Sequence, residues 1–392
     1  MKKISITLGL LLLAMSVSAT GRSGFSLLNH SDNRTARTTS VKADNSDAVY
    51  DSVREQYAQG KISADSVINL ALYHKVWSPA TAEKCLKLVA DRNPRAEMEL
   101  GVIYAFSPEY TRQASDGVKL LQEVAKSGGE VSRDANCYLG LYYFNHREYD
   151  KAKACFDACR PIPYGFGDTA LGSMYMEGKG VKEDVAKARE CYHQAALKGY
   201  ARGASLYGFN LRATGGGPVS YPDSFFWLYI AGDLGDDAAR TTLYLPRRNE
   251  NRGDSETAQK ANEALTYIEM AQKGKNLKNE PIYKDGFLPS LKAREQAAER
   301  GDDWARFYLG SMNYNGDFLN QNYAQAIRYY EPISRDAKLP RTVLALVNER
   351  LARMYRDGLG TKADAVKADR YARLAAKYGS LSAYRAVENI NR

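Results

Sequence analysis

Five cysteines are the residues of this chain with the broadest chemical repertoire: Cys85, Cys137, Cys155, Cys159 and Cys191. No two of them stand in a CxxC pattern, so the spacing favours neither a redox-active dithiol nor a zinc site. An odd number leaves at least one thiol free even where disulfides form. The simplest interpretation is that these cysteines act as small buried hydrophobic residues.

Other residue types with catalytic potential are few and scattered. The chain has no HExxH, GxSxG, phosphate-binding or EF-hand pattern, and we predict no catalytic, metal-binding or cofactor-binding residue. Gly215-Gly216-Gly217-Pro218 resembles a phosphate-binding loop only in composition, and we interpret it as a connection between helices. We expect the four histidines to be surface or partly buried helix residues: His30, His74, His146 and His193.

The first 19 residues have the features of a secretory signal peptide. Lys2 and Lys3 provide a positive start, and an apolar stretch over residues 4–15 is too short to span a bilayer. Val17-Ser18-Ala19 supplies the small residues that a signal peptidase needs. We therefore expect cleavage near Ala19 and a periplasmic or secreted mature protein, with a retained N-terminal anchor as the alternative.

The charge of the chain restricts its partners. Removing Lys2 and Lys3 takes the formal net charge from +9 to +7, a mild basic bias. Such a surface favours acidic partners, which include anionic glycans and lipid A phosphates. Export and the lack of an aromatic-plus-basic RNA motif argue against nucleic acid. No later apolar stretch approaches the roughly 20 residues of a membrane span, so no integral membrane segment is expected.

Two distant segments of the chain repeat one pattern. There are 28 Tyr but only 11 Phe and 3 Trp, which indicates that tyrosine recurs at a fixed position. The segments Leu171–Gly199 and Leu351–Gly379 share spaced Leu, Tyr, Gly, Asp, Lys-Ala and Ala-Ala positions. The chain is therefore predicted to be a repeat array.

Each shared position has a physical reason in a pair of helices. Leu171 and Tyr175 lie four residues apart, on one buried face of a first helix. Gly172 lacks a Cβ atom, which lets the second helix approach closely. Asp184 falls at the start of that second helix, where its charge complements the helix dipole. Gly199 follows the end of the helix, in a position that favours positive φ.

This pattern resembles the Sel1-like repeat (SLR), a subfamily of the tetratricopeptide-repeat superfamily. Weaker copies lie at residues 96–128, 202–235 and 304–334, and residues 139–159 are closer to a plain tetratricopeptide repeat. The resemblance implies an all-α fold, an α/α solenoid of helix-turn-helix repeats. The segments that we predict are a disordered arm at 20–46, a repeat array at 47–235, an irregular helical insert or hinge at 236–285, and a second sub-array at 286–392.

The resemblance also implies a partner-binding groove, because first helices line the concave face of such arrays. Aromatic and arginine side chains at these positions are typical of binding hot spots, although each of them has packing between helices as its alternative. We expect the groove to bind an envelope or host protein, with an acidic segment as the suited ligand. The predicted groove residues are Met98, Phe106, Phe144, Met176, Arg202, Phe209, Arg212, Trp304, Phe307, Tyr314, Arg353 and Arg356.

Three functions follow, in order of preference. The first is a non-catalytic exported scaffold, adaptor or regulator that needs no cofactor. The second is a glycan- or envelope-binding protein with a basic surface. The third, an enzyme, requires a polar pocket near residues 236–285. Secreted cysteine-rich SLR proteins crosslink their helix hairpins, and this resemblance implies a disulfide between Cys137 and Cys159, with Cys155 as the rival partner.

Overall fold

The structure, a computed structural model, consists of helices and their connections. It describes residues 46–74, 78–161, 164–212, 216–244, 288–336, 338–380 and 383, and no β-strand occurs among them. The predicted signal peptide and nearly all of the predicted disordered arm lie outside these residues. Most of the predicted insert, residues 245–285, lies outside them as well.

The chain divides into two compact units. Unit 1 contains the described residues up to Leu171 together with Gly178–Lys182, and unit 2 contains Gly172–Glu177 and the described residues from Glu183 onward. The helices of unit 1 are α1 (Ser46–Ala58), α2 (Ala64–His74), α3 (Pro79–Lys87), α4 (Pro94–Phe106), α5 (Ala114–Lys126), α6 (Gly129–Asn145) and α7 (Tyr149–Cys159). Short 3₁₀ segments lie at Ala90–Arg92 and Pro108–Gln113.

Helix α8 (Phe166–Glu177) gives its first residues to unit 1 and its last six to unit 2. The remaining helices of unit 2 are α9 (Val185–Leu197), α10 (Ala201–Asn210), α11 (Tyr221–Asp233), α12 (Asp237–Tyr244), α13 (Leu288–Glu299), α14 (Asp303–Asn315), α15 (Tyr323–Ile333), α16 (Arg341–Asp357) and α17 (Ala365–Tyr378).

Neighbouring helices form hairpins. In unit 1, α4 packs on α5 and α6 on α7, and in unit 2 the pairs are α10 with α11, α14 with α15, and α16 with α17. Consecutive hairpins also contact each other, as α5 with α6 and α15 with α16 do. Each unit therefore has the arrangement of an α/α solenoid, and the predicted all-α fold is confirmed.

Missing Cβ atoms allow the two helices of a hairpin to touch. A Cβ built on Gly172 would lie 2.6 Å from a ring carbon of Tyr192, and one on Gly310 would lie 2.5 Å from a ring carbon of Tyr330. The serine after each glycine forms a hydrogen bond with the same tyrosine. Ser173 Oγ lies 3.3 Å from the Tyr192 hydroxyl, and Ser311 Oγ lies 2.9 Å from the Tyr330 hydroxyl. The predicted role of Gly172 is confirmed, and the contact recurs in a second repeat.

The predicted helix ends are also confirmed. The Asp184 carboxylate accepts a hydrogen bond from the backbone N–H of Lys187 at 2.9 Å, and Asp364 does the same for Lys367. Both aspartates therefore cap the second helix of a repeat. Gly199 has a φ of +71°, a conformation that costs a side-chain-bearing residue on the order of 1 kcal/mol.

The two sides of the predicted insert share one hydrophobic core. Leu243 of α12 and Ala297 of α13 are both buried in the core of unit 2. Trp304 of α14 packs against Trp227 of α11, with ring centroids 5.4 Å apart. The described residues from 288 onward thus belong to the same compact unit as α11. The second sub-array and the insert or hinge before it stay predictions.

Candidate partner-binding surface

Three of the predicted groove residues are core residues. Met98 is 4% exposed, Phe144 is 5% exposed and Phe307 is fully buried. Phe144 packs on Phe156 within its own hairpin, and Phe307 belongs to the core of unit 2. In the structure these side chains pack between helices, and their part in a partner-binding groove stays a prediction.

Six further predicted groove residues are distributed over the two units. Phe106 lies in unit 1 beside Tyr138, with ring centroids 6.2 Å apart. In unit 2, the Arg202 guanidinium lies 3.7 Å from the Asp236 carboxylate, and Trp304 packs on Trp227 as described above. The side chains that are half-buried or exposed in this group are those of Phe106, Met176, Arg202, Phe209, Arg212 and Trp304.

The last three predicted residues, Tyr314, Arg353 and Arg356, do come together. Arg353 Nη1 donates to the Tyr314 hydroxyl at 3.3 Å, which links the last turns of α14 and α16. Asp357 accepts a hydrogen bond from Arg356 Nε at 2.8 Å and forms an ion pair with Arg353, whose Nε lies 3.7 Å from the carboxylate. We call Tyr314, Arg353, Arg356 and Asp357 the arginine–tyrosine patch.

Most of the arginine–tyrosine patch is open to solvent. The side chains of Arg353 and Arg356 are 58% and 68% exposed, and that of Asp357 is 37% exposed. The hydrogen bond from Arg356 is the largest influence on Asp357 and holds the pKa of its carboxyl below the ordinary value. The Asp357 carboxyl is therefore ionised at neutral pH, and the guanidinium groups of Arg353 and Arg356 lie around it.

A buried ion pair packs against the patch on its core side. Arg350 lies one helical turn before Arg353 and is only 11% exposed, and its partner Asp233 is 4% exposed. Arg350 Nη2 and Nη1 donate to the two oxygens of Asp233 at 2.6 and 2.8 Å. The Arg350 guanidinium also lies over the Tyr314 ring, 4.8 Å from its centroid. Tyr314 is thus positioned by a side chain that is itself fixed.

The sequence analysis missed Arg350 and Asp233. A signal for Arg350 was present, because Ala170 and Tyr308 occupy the equivalent positions of other repeats and both are buried. An arginine at an apolar repeat position indicates a buried charge, which needs a partner. Asp233 lies 117 residues away in the chain, and no spacing rule identifies it.

An aromatic cluster, separate from the arginine–tyrosine patch, lies between α9, α10 and α11. The His193 ring stacks on Tyr207 with centroids 4.5 Å apart, and both rings contact Trp227 edge-on. Burial lowers the pKa of His193, so this imidazole is neutral at pH 7. The arrangement packs one repeat against the next, in agreement with the expectation that His193 is a partly buried helix residue.

The glycine-rich segment between α10 and α11 is a connection, as predicted. Its described residues 216–220 are not helical. Arg189 of α9 reaches into this connection, where Nη1 donates to the Pro218 carbonyl at 3.0 Å and Nε donates to the Asn210 side chain at 2.8 Å. Protein groups thus surround this arginine, and the loop serves to join two helices.

Within the described part of the chain, no group of three or more His, Cys, Asp or Glu side chains is arranged to hold a metal ion. The helices in the same residues include none that is both long and apolar enough to cross a bilayer.

Cys137 and Cys159 lie next to each other in the hairpin of α6 and α7. Each is 1% exposed. Burial, together with a hydrogen bond between the two thiols, raises the pKa of Cys137, whereas burial raises the pKa of the half-buried Cys155 to about 11. All five cysteines are described and are free thiols in the structure. The disulfide between Cys137 and Cys159 stays a prediction.

Oxidation of Cys137 and Cys159 is expected to stabilise unit 1. The bond closes a loop of about 22 residues, which corresponds to about 3 kcal/mol. Protein recovered from an oxidising compartment should therefore show three free thiols under denaturing conditions and a melting temperature that falls when reductant is added. Cys137→Ser should remove this sensitivity, and Cys191→Ser, the control, should retain it. Five free thiols would contradict the prediction, and loss of the sensitivity on Cys155→Ser but not on Cys159→Ser would identify the rival pair.

Comparison with known proteins identifies the repeats. Four segments match the family model of the Sel1 repeat, at residues 168–200, 203–236, 305–335 and 347–380. These segments coincide with the pairs α8–α9, α10–α11, α14–α15 and α16–α17. No curated protein gives a significant match.

Two solved structures are similar to the chain. A Sel1 repeat protein from Oxalobacter formigenes is 19% identical, with 88% of this chain and 91% of that chain covered and a TM-score of 0.36. The protein c5321, a protective antigen present in uropathogenic Escherichia coli strains and displaying an SLR fold, is 17% identical, with 86% and 85% covered and a TM-score of 0.42. The chain therefore contains four Sel1 repeats, each of which forms one pair of helices.

Proposed function

We propose that this chain is an exported, non-catalytic interaction protein that binds a protein partner through the arginine–tyrosine patch of unit 2. Sel1 repeats are in general protein-interaction modules, and this chain carries four of them. The signal-peptide features of residues 1–19 support a periplasmic or secreted location.

The observation that carries the proposal is the combination of exposure and fixed geometry in the patch. Tyr and Arg are the residue types enriched in binding hot spots, since they offer large contact areas and directional hydrogen bonds. Tyr314 lies between the buried Arg350 on one side and the exposed Arg353 at its hydroxyl. A side chain that is already held in place loses little conformational entropy on binding. The patch is therefore suited to serve as an anchor.

Partner capture from an envelope extract tests the proposal. Purified mature protein, Tyr314→Ala and the control Tyr221→Ala are compared by affinity capture and quantitative mass spectrometry. Tyr221 is 51% exposed and lies at the start of α11, outside the patch. We expect one partner to be retained by the wild type and by Tyr221→Ala and to fall at least tenfold with Tyr314→Ala, since a hot-spot truncation costs about 2 kcal/mol or more.

Circular dichroism melts of the three proteins show whether Tyr314→Ala has kept the fold. Capture that is equal for Tyr314→Ala and the wild type, with all three proteins folded, would refute the patch as the binding surface. Capture that falls equally with Tyr221→Ala would do the same.

A further inference from the structure

Both exposed arginines of the patch are directed at one carboxylate of the same helix. Arg356 holds Asp357 through two hydrogen bonds, at 2.8 Å from Nε and 3.2 Å from Nη2. Arg353 Nε lies 3.7 Å from Oδ2 of the same carboxylate. The planar fork of arginine matches the two oxygens of a carboxylate. The two side chains therefore already form a carboxylate-binding arrangement, which Asp357 occupies.

The position of Asp357 in its helix is unfavourable for a negative charge. It is the last residue of α16, and Gly358 follows with a φ of +67°. A negative charge at the C-terminal end of a helix opposes the helix dipole. Exposed ion pairs contribute little to stability because water screens them, so an external carboxylate can displace the contact between Asp357 and its arginines.

The buried ion pair next to the patch carries no net charge, because Asp233 neutralises Arg350. The exposed part of the patch consists of two arginines and one aspartate, a net charge of +1. Its charge is complementary to an acidic ligand, and the adjacent Tyr314 ring provides a surface for an apolar or aromatic neighbour of the acid.

We propose that Asp357 is a built-in competitor, and that an acidic segment of the protein partner displaces it from Arg353 and Arg356. This inference rests on the proposed function, and it assigns the chemistry of the partner: one or more carboxylates next to an aromatic or apolar side chain. Removing the Asp357 charge then strengthens binding, an effect that a purely structural role of this aspartate does not produce.

Fluorescence anisotropy with two labelled pentapeptides tests the proposal. The probes are EDFDE and its amide counterpart QNFNQ, titrated with the full mature protein at 50 and 300 mM salt. We expect EDFDE to bind at least tenfold more tightly than QNFNQ at low salt and to lose affinity at high salt. Arg353→Gln with Arg356→Gln should abolish this preference, and Asp357→Asn should raise the affinity for EDFDE by up to about fivefold.

A matched control separates the local effect from the change in net charge. Asp369 of α17 pairs with Arg373 at 2.8 Å, and their side chains are 39% and 50% exposed. Asp369→Asn therefore removes a comparable ion pair and the same charge at another place. We expect it to leave the affinity for EDFDE within a factor of about 1.5, because Asp369 is paired with Arg373 and not with an arginine of the patch.

Three results would overturn the inference: equal binding of EDFDE and QNFNQ, no gain with Asp357→Asn beyond that with Asp369→Asn, or a loss with Asp357→Asn. Its failure is distinguishable from failure of the proposed function. If partner capture depends on Tyr314 while the peptides bind alike, the partner-binding function stands and the acidic chemistry is wrong. If the peptides behave as expected but no partner capture depends on Tyr314, the acid site stands and the proposed interface is wrong.

Discussion

Replacing Arg350 with methionine is expected to lower the stability of unit 2 by about 3–5 kcal/mol, the cost of breaking a buried ion pair from one side. The Asp233 carboxylate is 4% exposed and takes two hydrogen bonds from the Arg350 guanidinium. Methionine fills much of the volume of arginine but leaves this carboxylate in the core without its cation. Arg350 also donates to Ser311 and Tyr330 at 2.9 and 2.8 Å, so the change leaves further polar groups with fewer partners.

Thermal unfolding together with hydrogen–deuterium exchange of α11 and α16 measures this effect, because stability in a repeat array is shared among neighbouring units. Arg356→Met is the control on the same helix. Its side chain is 68% exposed, and exposed pairs contribute at most about 1 kcal/mol. Equal destabilisation by the two substitutions would contradict the assignment of Arg350 as a buried structural cation. The double variant Arg350→Met/Asp233→Leu should recover most of the loss, since a hydrophobic pair is a fair substitute for a buried ion pair.

The contribution of the pair depends on pH in a known direction. Burial alone would raise the pKa of Asp233, but the charge and hydrogen bonds of Arg350 outweigh it and hold the pKa below the ordinary value. A carboxyl with a lowered pKa stabilises the fold at neutral pH and loses that contribution as pH falls through the lowered value. The difference between the wild type and Arg350→Met is therefore expected to be largest near pH 7 and to shrink under acid conditions.

The repeats were predictable from the sequence because their defining residues act locally. Glycine is required at position 172 because a Cβ atom there would clash with the Tyr192 ring of the same hairpin, and Asp184 caps its own helix. Each of these contacts joins residues less than about 25 positions apart, so a fixed spacing reports them. Repetition of the same spacing near the end of the chain then indicated that these contacts belong to a repeated helix hairpin.

The exposure of the first-helix residues was not predictable in the same way. Phe307 and Tyr314 lie seven residues apart, two turns of α14, and spacing placed both in the groove. Phe307 is fully buried, whereas Tyr314 is half-buried beside exposed arginines. The face of a first helix that is predicted to border a groove can also pack on a neighbouring repeat, and side chains elsewhere in the chain decide which of the two occurs. Tyr314, Arg353 and Arg356 were predicted as separate residues, whereas Asp357 was not predicted, and the clustering of the four required the structure.

The second large effect is expected in unit 1, where Asp134 should make stability fall as pH rises through neutrality. Asp134 of α6 is 6% exposed, and its Oδ1 has no hydrogen-bond partner among the described residues. Burial is the main cause that raises the pKa of Asp134 to about 7; Glu130 on α6 and Glu99 on α4 add to it, and Arg95 on α4 opposes it. A carboxyl with a raised pKa favours the folded state below its unfolded value near 4 and loses that contribution as pH rises through 7.

Asp134→Asn isolates this effect, because the amide has the same shape but does not ionise. Three pKa units correspond to about 4 kcal/mol, which is the largest gain expected for the variant at pH 8, and the two proteins should be nearly equal at pH 4. Exchange protection of α4 and α6, corrected for the intrinsic pH dependence of exchange, provides the measurement at pH 5, 6, 7 and 8. Asp157→Asn on α7, which changes an exposed carboxylate, is the control and should show no such trend. Equal stability of Asp134→Asn and the wild type at pH 8 would mean that the Asp134 carboxyl is solvated in the folded protein, and that α4 and α6 pack less tightly around it than the structure shows.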